Sequence, residues 1–317
     1  MRILITGATG FIGSHLIDAL DAAGTHQLHA LTRKPLTDGD TRASWHVADF
    51  LQPSTLDQVL GTVRPEWIFH LAGYSNNGTS FKEPAAAWAG NWQATFNLYE
   101  SLQRLKLRPR VLLTSSGLIY GQPAAGQPPF AETDALYPVS PYASSKAAAD
   151  LMSFQVSQQP GLDVLRVRSF NQIGPRQSAD YATANFARQI AAVENGTQPQ
   201  RVIETGDLSG QRDITDVRDM VRAFLLLMEK GISGEAYNAG SGTTYSMQTV
   251  LDRMLALSGT TIEVRQRIDP ARKVETAVSR ADIRKLRDTT GWQPEFTLDR
   301  SLTDLLNYWR GRTLPAS

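Results

Sequence analysis

Cysteine is absent from the sequence of 317 residues, and this absence excludes disulfide bonds, thiolate nucleophiles and cysteine metal ligands together. Histidine is scarce as well. The five histidines, at positions 15, 26, 29, 46 and 70, show no paired or HExxH spacing, so we predict no metal site. No apolar run approaches the length of a membrane span, and the first apolar segment is typical of a strand rather than a signal sequence. We expect a soluble, cytoplasmic protein with no membrane partner.

The chain also lacks a large excess of either positive or negative residues. The formal net charge is +1 at pH 7, which argues against a broad nucleic-acid partner. Hydrophobic residues make up 41% of the chain, which is enough to build a sizeable core and to exclude a disordered chain. The length suits two domains, or one large α/β domain with an appendage.

One short segment carries a recognisable chemical pattern. Pro141 opens a predicted helix in which Tyr142 and Lys146 are four residues apart, so the two side chains share one face. A free tyrosine has a pKa of about 10, which is too high for proton transfer at neutral pH. An adjacent ammonium group favours the phenolate and lowers that pKa, as a proton-transferring tyrosine requires. Because this spacing also occurs by chance on many helices, the pair needs support from the rest of the chain.

The N-terminal segment has the pattern of a dinucleotide-binding turn. A predicted strand at residues 2–6 leads into Gly7, Gly10 and Gly13 and then into an apolar helical pattern. Gly7 permits a tight turn, Gly10 lets the backbone approach a pyrophosphate, and Gly13 lets the helix pack close to the strand. The spacing is GxxGxxG rather than GxGxxG, and an ordinary strand-to-helix turn is the alternative.

The next two predicted strands bear on the choice of cofactor. The second strand, residues 27–32, is followed by Arg33 and Lys34 and lacks the acidic residue that NAD-selective sites place there. Since arginine suits a 2′-phosphate, we expect NADP(H), with NAD(H) and a merely solvated Arg-Lys pair as alternatives. The third predicted strand, residues 45–50, carries Asp49 where an adenine amino group could be bound.

The middle of the chain supplies a predicted strand, a polar loop and a helix. The strand at residues 66–73 ends in small residues, and the loop at 74–83 is of the type that lines a ligand cleft, although it could equally be a surface connection. Pro84 begins a long predicted helix on which Asn91 could hold backbone and active-site water. An aromatic stripe on this helix is typical of core or subunit packing: Trp88, Trp92, Phe96 and Tyr99.

Three motifs together resemble one family. The glycines at 7, 10 and 13, the segment Ser116-Gly-Leu-Ile-Tyr-Gly121, and Tyr142-x-x-x-Lys146 are similar to the extended short-chain dehydrogenase/reductase superfamily (the NAD-dependent epimerase/dehydratase family), in its nucleotide-sugar-modifying branch. The resemblance covers essentially the whole chain. It implies an α/β fold: a Rossmann-type doubly wound parallel sheet with a smaller C-terminal α/β substrate domain. Residues 1–170 and 214–240 would bind NADP(H), and residues 171–213 and 241–317 the nucleotide sugar.

The resemblance also implies roles for individual residues. Ser116 would hydrogen-bond the reacting sugar oxygen, Tyr142 would pass the proton, and Lys146 would bind the ribose and adjust the tyrosine pKa. The implied cofactor-binding residues, besides Tyr142 and Lys146, are Gly7, Gly10, Phe11, Ile12, Gly13, Arg33, Asp49, Phe50, Leu71, Ala72, Gly73 and Asn91.

Five residues are expected to contact the substrate: Ser75, Ser116, Asn171, Arg212 and Arg272. The resemblance places Asn171 on the diphosphate and both arginines on its phosphates. Two arginines suit a diphosphate because guanidinium donors pair with its oxygens bidentately. A surface ion pair is the alternative for each arginine.

The residues that follow Ser116, together with the lack of cysteine, reduce the number of reactions that the chain could catalyse. Gly117, Leu118 and Ile119 follow it without the acid that 4,6-dehydratases carry, and the lack of cysteine disfavours C3/C5 epimerisation. Reduction of a 4-keto sugar and C4 epimerisation remain, and Arg33 does not match the acid usual in C4 epimerases. The nearest likeness is to the branch that reduces GDP-4-keto-6-deoxy-D-mannose to GDP-D-rhamnose.

Departures from that branch leave alternatives open. Gln172, Arg176 and Lys273 differ from its pattern near the substrate, so the talose epimer or another nucleotide base fits nearly as well. A non-catalytic NADP(H)-binding regulator is a further alternative, although a regulator has no need of Ser116, Tyr142 and Lys146 together. The resemblance implies a homodimer that pairs two long helices of each subunit in a four-helix bundle, with contacts from Trp88, Trp92 and Phe96.

Overall fold

The computed structural model describes residues 1–36, 40–124, 126–158, 161–198, 200–267 and 278–312. Arg272, one of the predicted substrate residues, lies outside these ranges, as does Lys273. Among the described residues, no helix combines the length and the apolar character needed to cross a membrane. Within the same ranges, no group of three or more His, Asp or Glu side chains is placed to hold a metal ion.

A seven-stranded parallel sheet forms the centre of the larger part of the molecule. Its strands are β1 (Arg2–Thr6), β2 (Gln27–Thr32), β3 (Ser44–Val47), β4 (Trp67–His70), β5 (Arg110–Ser116), β6 (Asp163–Ser169) and β10 (Ala236–Ala239), in the order β10-β6-β5-β4-β1-β2-β3. Central strands such as β1 are short apolar runs because both of their faces are buried. The order 3-2-1-4-5-6 is that of a doubly wound dinucleotide-binding sheet, which confirms the predicted fold class.

Helices cover both faces of this sheet. On one face lie α1 (Phe11–Ala23), α7 (Val217–Lys230) and α9 (Arg284–Thr290), and on the other lie α2 (Pro53–Val63), α4 (Ala94–Arg104) and α5 (Pro141–Ser157). Each face has its own cluster of buried apolar side chains, built around Phe224 and Trp292 on the first and Leu98 and Leu113 on the second. These two clusters hold the sheet rigid, and its carboxyl edge therefore offers fixed positions for a site.

The smaller part is built from two short sheets and three helices. Its strands are β7 (Asn171–Ile173), β8 (Val202–Thr205), β9 (Gln211–Asp216), β11 (Thr244–Ser246) and β12 (Glu263–Gln266), ordered β11-β9-β7 and β12-β8. The helices α6 (Ala182–Glu194), α8 (Met247–Ser258) and α10 (Leu298–Arg310) share a third apolar cluster with these sheets. Strand β9 runs through the expected domain boundary at residue 214, and the division into domains stays a prediction.

The helix that was expected from Pro84 is interrupted. It consists of α3 (Pro84–Trp88), a π-helical turn (Ala89–Gln93) and α4. A π turn inserts residues into the helical repeat and rotates the faces before it against those after it. The predicted aromatic stripe is divided accordingly: the Tyr99 phenol is buried and hydrogen-bonded to Ser153 Oγ at 2.7 Å, whereas Trp88 is 41% exposed and Phe96 36%.

Candidate active site

The glycine-rich turn lies at the carboxyl edge of the large sheet, between β1 and α1. The strand order reverses here, since β1 lies between β2 and β4. Gly7 has a φ of +66°, and a Cβ there would lie 2.7 Å from the backbone nitrogen of Ala72. A Cβ at Gly13 would lie 2.3 Å from the Gly7 carbonyl oxygen. Both positions require glycine because backbone atoms occupy the space that a side chain would need.

Helix α1 begins directly after this turn with free backbone donors. Gly10 is its N-cap and supplies no side-chain cap, and the first turn holds no acidic residue. The first N–H groups of a helix have no partner within it, so those of Phe11, Ile12 and Gly13 can donate to a ligand. Together with the positive end of the helix dipole, they suit the pyrophosphate of a dinucleotide.

Ser116, Tyr142 and Lys146 come together at the end of β5. The Ser116 side chain lies close enough to the Tyr142 phenol to lower its pKa, although 26 residues separate the two in the sequence. The Lys146 Nζ donates to the Thr114 carbonyl oxygen at 2.8 Å, two residues before Ser116 on the same strand. Both Ser116 and Lys146 are buried. The structure therefore gathers the three side chains expected to act in catalysis, and their roles stay predictions.

The direction of the Tyr142 pKa differs from the sequence-based expectation. Burial raises the pKa of Tyr142 to about 12, and Ser116 opposes this rise only in part. Burial also lowers the pKa of Lys146 to about 8. The expected lowering of the tyrosine pKa by Lys146 is thus not found, and loss of solvent around the phenol is the largest influence on that pKa. Tyr142 is consequently protonated at neutral pH, the form that can donate a proton.

Asn91 lies in the π turn and presents an unpaired oxygen to the site. Its Nδ2 donates to Ser145 Oγ at 2.9 Å, and its buried Oδ1 has no partner among the described residues. A Cβ at Gly73 would lie 2.6 Å from that Oδ1 and 3.4 Å from the Lys146 Nζ. Glycine keeps this space open between an acceptor and a cationic donor. Asn91 Oδ1 and Lys146 Nζ together fit the hydroxyl groups of a ribose, which both donate and accept hydrogen bonds.

The predicted adenosine residues lie at the other end of the same edge. Arg33 follows β2 directly, is exposed, and has no hydrogen-bond or ion-pair partner in the part of the chain that the structure describes. Asp49 accepts from the Leu51 amide at 2.9 Å through Oδ1. Phe50 is buried, and its carbonyl oxygen accepts from Asn97 Nδ2 at 2.6 Å. An unpaired guanidinium beside a nucleotide cleft suits a phosphate group.

Three of the predicted substrate residues lie on β7, on β9 and in the loop after β4. Asn171 begins β7, and its Nδ2 donates to the Asp213 carbonyl oxygen at 3.3 Å, while Arg212 lies on the adjacent strand β9. Ser75 lies in the loop after β4, where its carbonyl oxygen accepts from the Tyr181 hydroxyl at 3.1 Å. Arg212 also lines a small cavity that reaches the first turn of α5, with Asn77, Leu118, Ser140, Ala143 and Ser279.

Most contacts around the backbone of Tyr142 could not be predicted from the sequence. Ser140 Oγ accepts from the Ala143 amide at 3.1 Å and donates to Asn77 Oδ1 at 2.5 Å. The Tyr142 amide donates to Ser80 Oγ at 3.2 Å. Only Ser140 left a signal, since a serine before a proline is typical of a helix N-cap. The others come from distant loops, and no local pattern reveals them.

A second cavity lies away from these residues. It has a volume of about 270 Å³ and lies between the three-stranded sheet and the start of α10, where Asp216, Tyr245, Arg253 and Ser301 line it. None of the predicted site residues lines it. The volume of this cavity therefore does not identify the candidate active site, because the predicted catalytic and cofactor-binding side chains lie at the carboxyl edge of the large sheet.

Comparison with known proteins gives the family of the chain and its structural relatives. The chain matches the family described as GDP-mannose 4,6 dehydratase over residues 4–305. A GDP-6-deoxy-D-mannose reductase from Pseudomonas aeruginosa is 35% identical over 313 residues, with 98% of each chain covered. The solved structure of RMD from Pseudomonas aeruginosa complexed with NADPH has a TM-score of 0.86 at 32% identity, covering 98% of this chain and 100% of that one. The Thermus thermophilus UDP-glucose 4-epimerase complex with NAD has a TM-score of 0.87 at 25% identity, covering 99% and 100%.

Proposed function

The chain belongs to the GDP-mannose 4,6 dehydratase family of extended short-chain dehydrogenases/reductases, and we propose that it reduces the C4 keto group of a nucleotide-linked 4-keto-6-deoxyhexose with NADPH. It is an enzyme of the NAD(P)-dependent nucleotide-sugar branch. The substrate that fits best is GDP-4-keto-6-deoxy-D-mannose, with GDP-D-rhamnose as product, in keeping with the 35% identity to a GDP-6-deoxy-D-mannose reductase.

The observation that carries the proposal is that the Ser116 side chain acts on the buried phenol of Tyr142, a tyrosine that is protonated at neutral pH. Both hydroxyls can bind the C4 oxygen of the sugar, and Tyr142 can give its proton to that oxygen as negative charge develops there. Lys146, held by the Thr114 carbonyl, supplies a positive charge nearby that stabilises the phenolate left behind. NADPH, when bound, supplies the hydride.

Reduction is favoured over dehydration by the residues beside Ser116. Leu118 lines the cavity next to the first turn of α5, and none of the described residues that line this cavity is acidic. Elimination of water across the sugar needs such an acid to move a second proton. A ketoreductase needs only one proton donor, which Tyr142 provides.

NADPH is proposed as the cofactor on the basis of Arg33. This guanidinium has no partner among the described residues and lies at the end of β2, where the ribose 2′ position of a bound dinucleotide lies in sheets of this order. The relative solved with NADPH supports the assignment, and NAD(H) is the alternative. Asn171 and Arg212 are proposed to bind the substrate diphosphate, and Ser75 the sugar.

A C4 epimerase is the second candidate, because the fold matches a UDP-glucose 4-epimerase solved with NAD. An epimerase would oxidise C4 and then reduce it from the other face, using the same serine and tyrosine. A non-catalytic NADP(H)-binding regulator is disfavoured because it would have no need of Ser116, Tyr142 and Lys146 together.

The experiment that tests the function is NADPH oxidation with GDP-4-keto-6-deoxy-D-mannose, run beside NADH and a dTDP-4-keto sugar. Tyr142→Phe should reduce kcat by roughly 100-fold or more because it removes the proton donor. Tyr308→Phe, which changes a phenol on α10, is the matched control and should retain activity. NMR of the product distinguishes rhamnose from talose. Turnover of GDP- or UDP-hexoses without net NADPH oxidation would instead establish an epimerase.

A homodimer is proposed from an apolar surface on α3, α4 and α5. Trp88, Phe96, Leu151 and Phe154 are between 36% and 56% exposed there, more apolar area than single surface positions usually carry. Light scattering after gel filtration should give a dimer for the wild type and a monomer for Leu151→Glu. Ile232→Glu, at an exposed position after α7, is the control and should stay dimeric. A wild-type monomer at micromolar concentration would contradict the proposal.

A further inference from the structure

Residues 174–181, here called the crossing segment, connect β7 to α6. They contact both the helix α1, which follows the glycine turn, and the loop after β4. At the start of the segment, the Pro175 carbonyl oxygen accepts from His15 Nε2 at 2.9 Å. Arg176 donates to His15 Nδ1 at 2.7 Å and pairs with the Asp18 carboxylate. His15 and Asp18 belong to α1, the helix that follows the glycine turn. The first half of the crossing segment is therefore held against the cofactor-binding helix.

The end of the crossing segment reaches the loop after β4. Tyr181 is the N-cap residue of α6, and its hydroxyl donates to the Ser75 carbonyl oxygen at 3.1 Å across 106 residues of sequence. The same loop supports the first turn of α5, since Ser80 Oγ accepts from the Tyr142 amide at 3.2 Å. One hydrogen bond thus separates Tyr181 from the loop that holds the backbone of Tyr142.

We propose that Tyr181 is a positioning residue for the reduction: its hydroxyl holds the crossing segment against the loop at residues 74–83, and this loop in turn fixes Tyr142. The proposal rests on the proposed ketoreductase function. Proton transfer to the C4 oxygen requires a hydroxyl held at hydrogen-bond distance, so a loop that moves by an ångström slows the reaction without changing its chemistry.

The surroundings of the Tyr142 phenol agree with this role. Ser116 from β5 and the phenol of Tyr181 both act on it: Ser116 lowers the pKa of Tyr142, whereas the negative charge that Tyr181 carries once it ionises raises it. Burial is the larger cause and also raises the pKa of Tyr142. Lys146 is the charged group one helical turn further along α5. Loss of the Tyr181 hydroxyl removes this negative charge at alkaline pH and therefore lowers the pKa of Tyr142.

The test compares Tyr181→Phe, which removes one hydroxyl and keeps the ring, with Tyr308→Phe as the matched control. In the NADPH-bound protein, amide hydrogen exchange is measured at Ser80 and Tyr142. Steady-state kinetics with the keto sugar are measured as a function of pH. Tyr181→Phe should raise the exchange rate of these two amides and lower kcat, each by about fivefold, the effect of one net hydrogen bond. NADPH affinity should stay within about twofold of the wild type, because no cofactor-binding residue changes.

The pH profile separates a positioning role from a general loss of structure. Reduction needs protonated Tyr142, so kcat/KM falls at the pKa of Tyr142, above an earlier fall near pH 8 where Lys146 loses its charge, and Tyr181→Phe should move only the upper fall to lower pH. Unchanged exchange rates, or a lower kcat with an unmoved pH profile, would overturn the proposal. If the wild type reduces no keto sugar, the proposed function fails. Faster exchange in Tyr181→Phe alone would then still establish the connection to Tyr142.

Discussion

Asp150 should be essential for stability, because two buried arginines donate hydrogen bonds to its carboxylate. Among the described residues, no other acidic side chain pairs with these arginines. It lies on the same face of α5 as Tyr142 and Lys146, two helical turns after the tyrosine. Its carboxylate accepts from Arg166 at 2.8 Å and from Arg168 at 2.9 and 3.1 Å. Asp150 is fully buried, and the arginine side chains are only 10% and 5% exposed. This cluster attaches the helix that carries Tyr142 to β6.

The change Asp150→Asn keeps the shape of the side chain and removes its charge. Two guanidinium groups are then buried with no counter-charge in this cluster, and removal of one partner from a buried ion pair costs about 3–5 kcal/mol. Asp57→Asn is the control, because Asp57 pairs with Arg104 at 2.7 Å on the surface, where both side chains are more than a quarter exposed. A surface pair of this kind contributes about 0–1 kcal/mol.

Urea unfolding followed by far-UV circular dichroism measures both variants at pH 7. Burial disfavours the charged form of Asp150, but the hydrogen bond and charge of Arg168, with help from Arg166, outweigh it and hold the pKa of Asp150 below its ordinary value. A lowered pKa in the folded state stabilises the protein above the unfolded pKa, and this stabilisation is lost as the pH falls through the folded pKa. The difference between wild type and Asp150→Asn should therefore be constant from pH 8 to pH 5 and shrink below about pH 4.

Two outcomes would refute this reasoning. A loss of less than about 1 kcal/mol in Asp150→Asn would mean that the arginines are stabilised adequately by their other partners. Those partners are the Tyr120 hydroxyl and the carbonyl oxygens of Glu132 and Gly234. A difference that grows as the pH falls would mean that the carboxyl is not charged in the folded protein.

Three further changes test the site and its surroundings. Gly13→Ala places a Cβ 2.3 Å from the Gly7 carbonyl oxygen, so NADPH affinity by fluorescence titration should fall roughly tenfold; Gly61→Ala, which meets nothing within 4 Å, should leave it unchanged. Arg33→Ala should weaken NADPH binding roughly tenfold and NADH binding hardly at all, and equal losses for both would argue against a 2′-phosphate contact. Burial, with a smaller effect of Lys146, lowers the pKa of His70 to about 3. The stability that this neutral histidine confers is present above pH 6.5 and is lost on acidification, by about 2 kcal/mol between pH 7 and pH 5. His70→Asn should flatten that part of the stability profile, and an unchanged slope would contradict the assignment.

The amino-acid sequence by itself determined the features that local patterns encode. The glycine turn at residues 7–13 followed from its spacing and from the strand and helix on either side of it. The pair Tyr142 and Lys146 followed from the helical repeat after Pro141. The doubly wound sheet followed from the family resemblance and is confirmed by the strand order. Each of these depends on residues within a few positions of one another, or on motifs that the family places at fixed points of the fold.

Only the tertiary structure decided how distant residues meet. The π turn at Ala89–Gln93 divided the predicted aromatic stripe and directed Asn91 towards Gly73. Tyr181 and Ser75 are 106 residues apart, and nothing local indicates that they touch.

The protonation state of Tyr142 is the clearest case. The sequence showed a lysine one helical turn from Tyr142 and therefore suggested a lowered pKa. In the folded chain, burial raises that pKa to about 12, and the lysine donates to a strand carbonyl instead. Desolvation depends on everything packed around a group, so no spacing in the sequence can supply it.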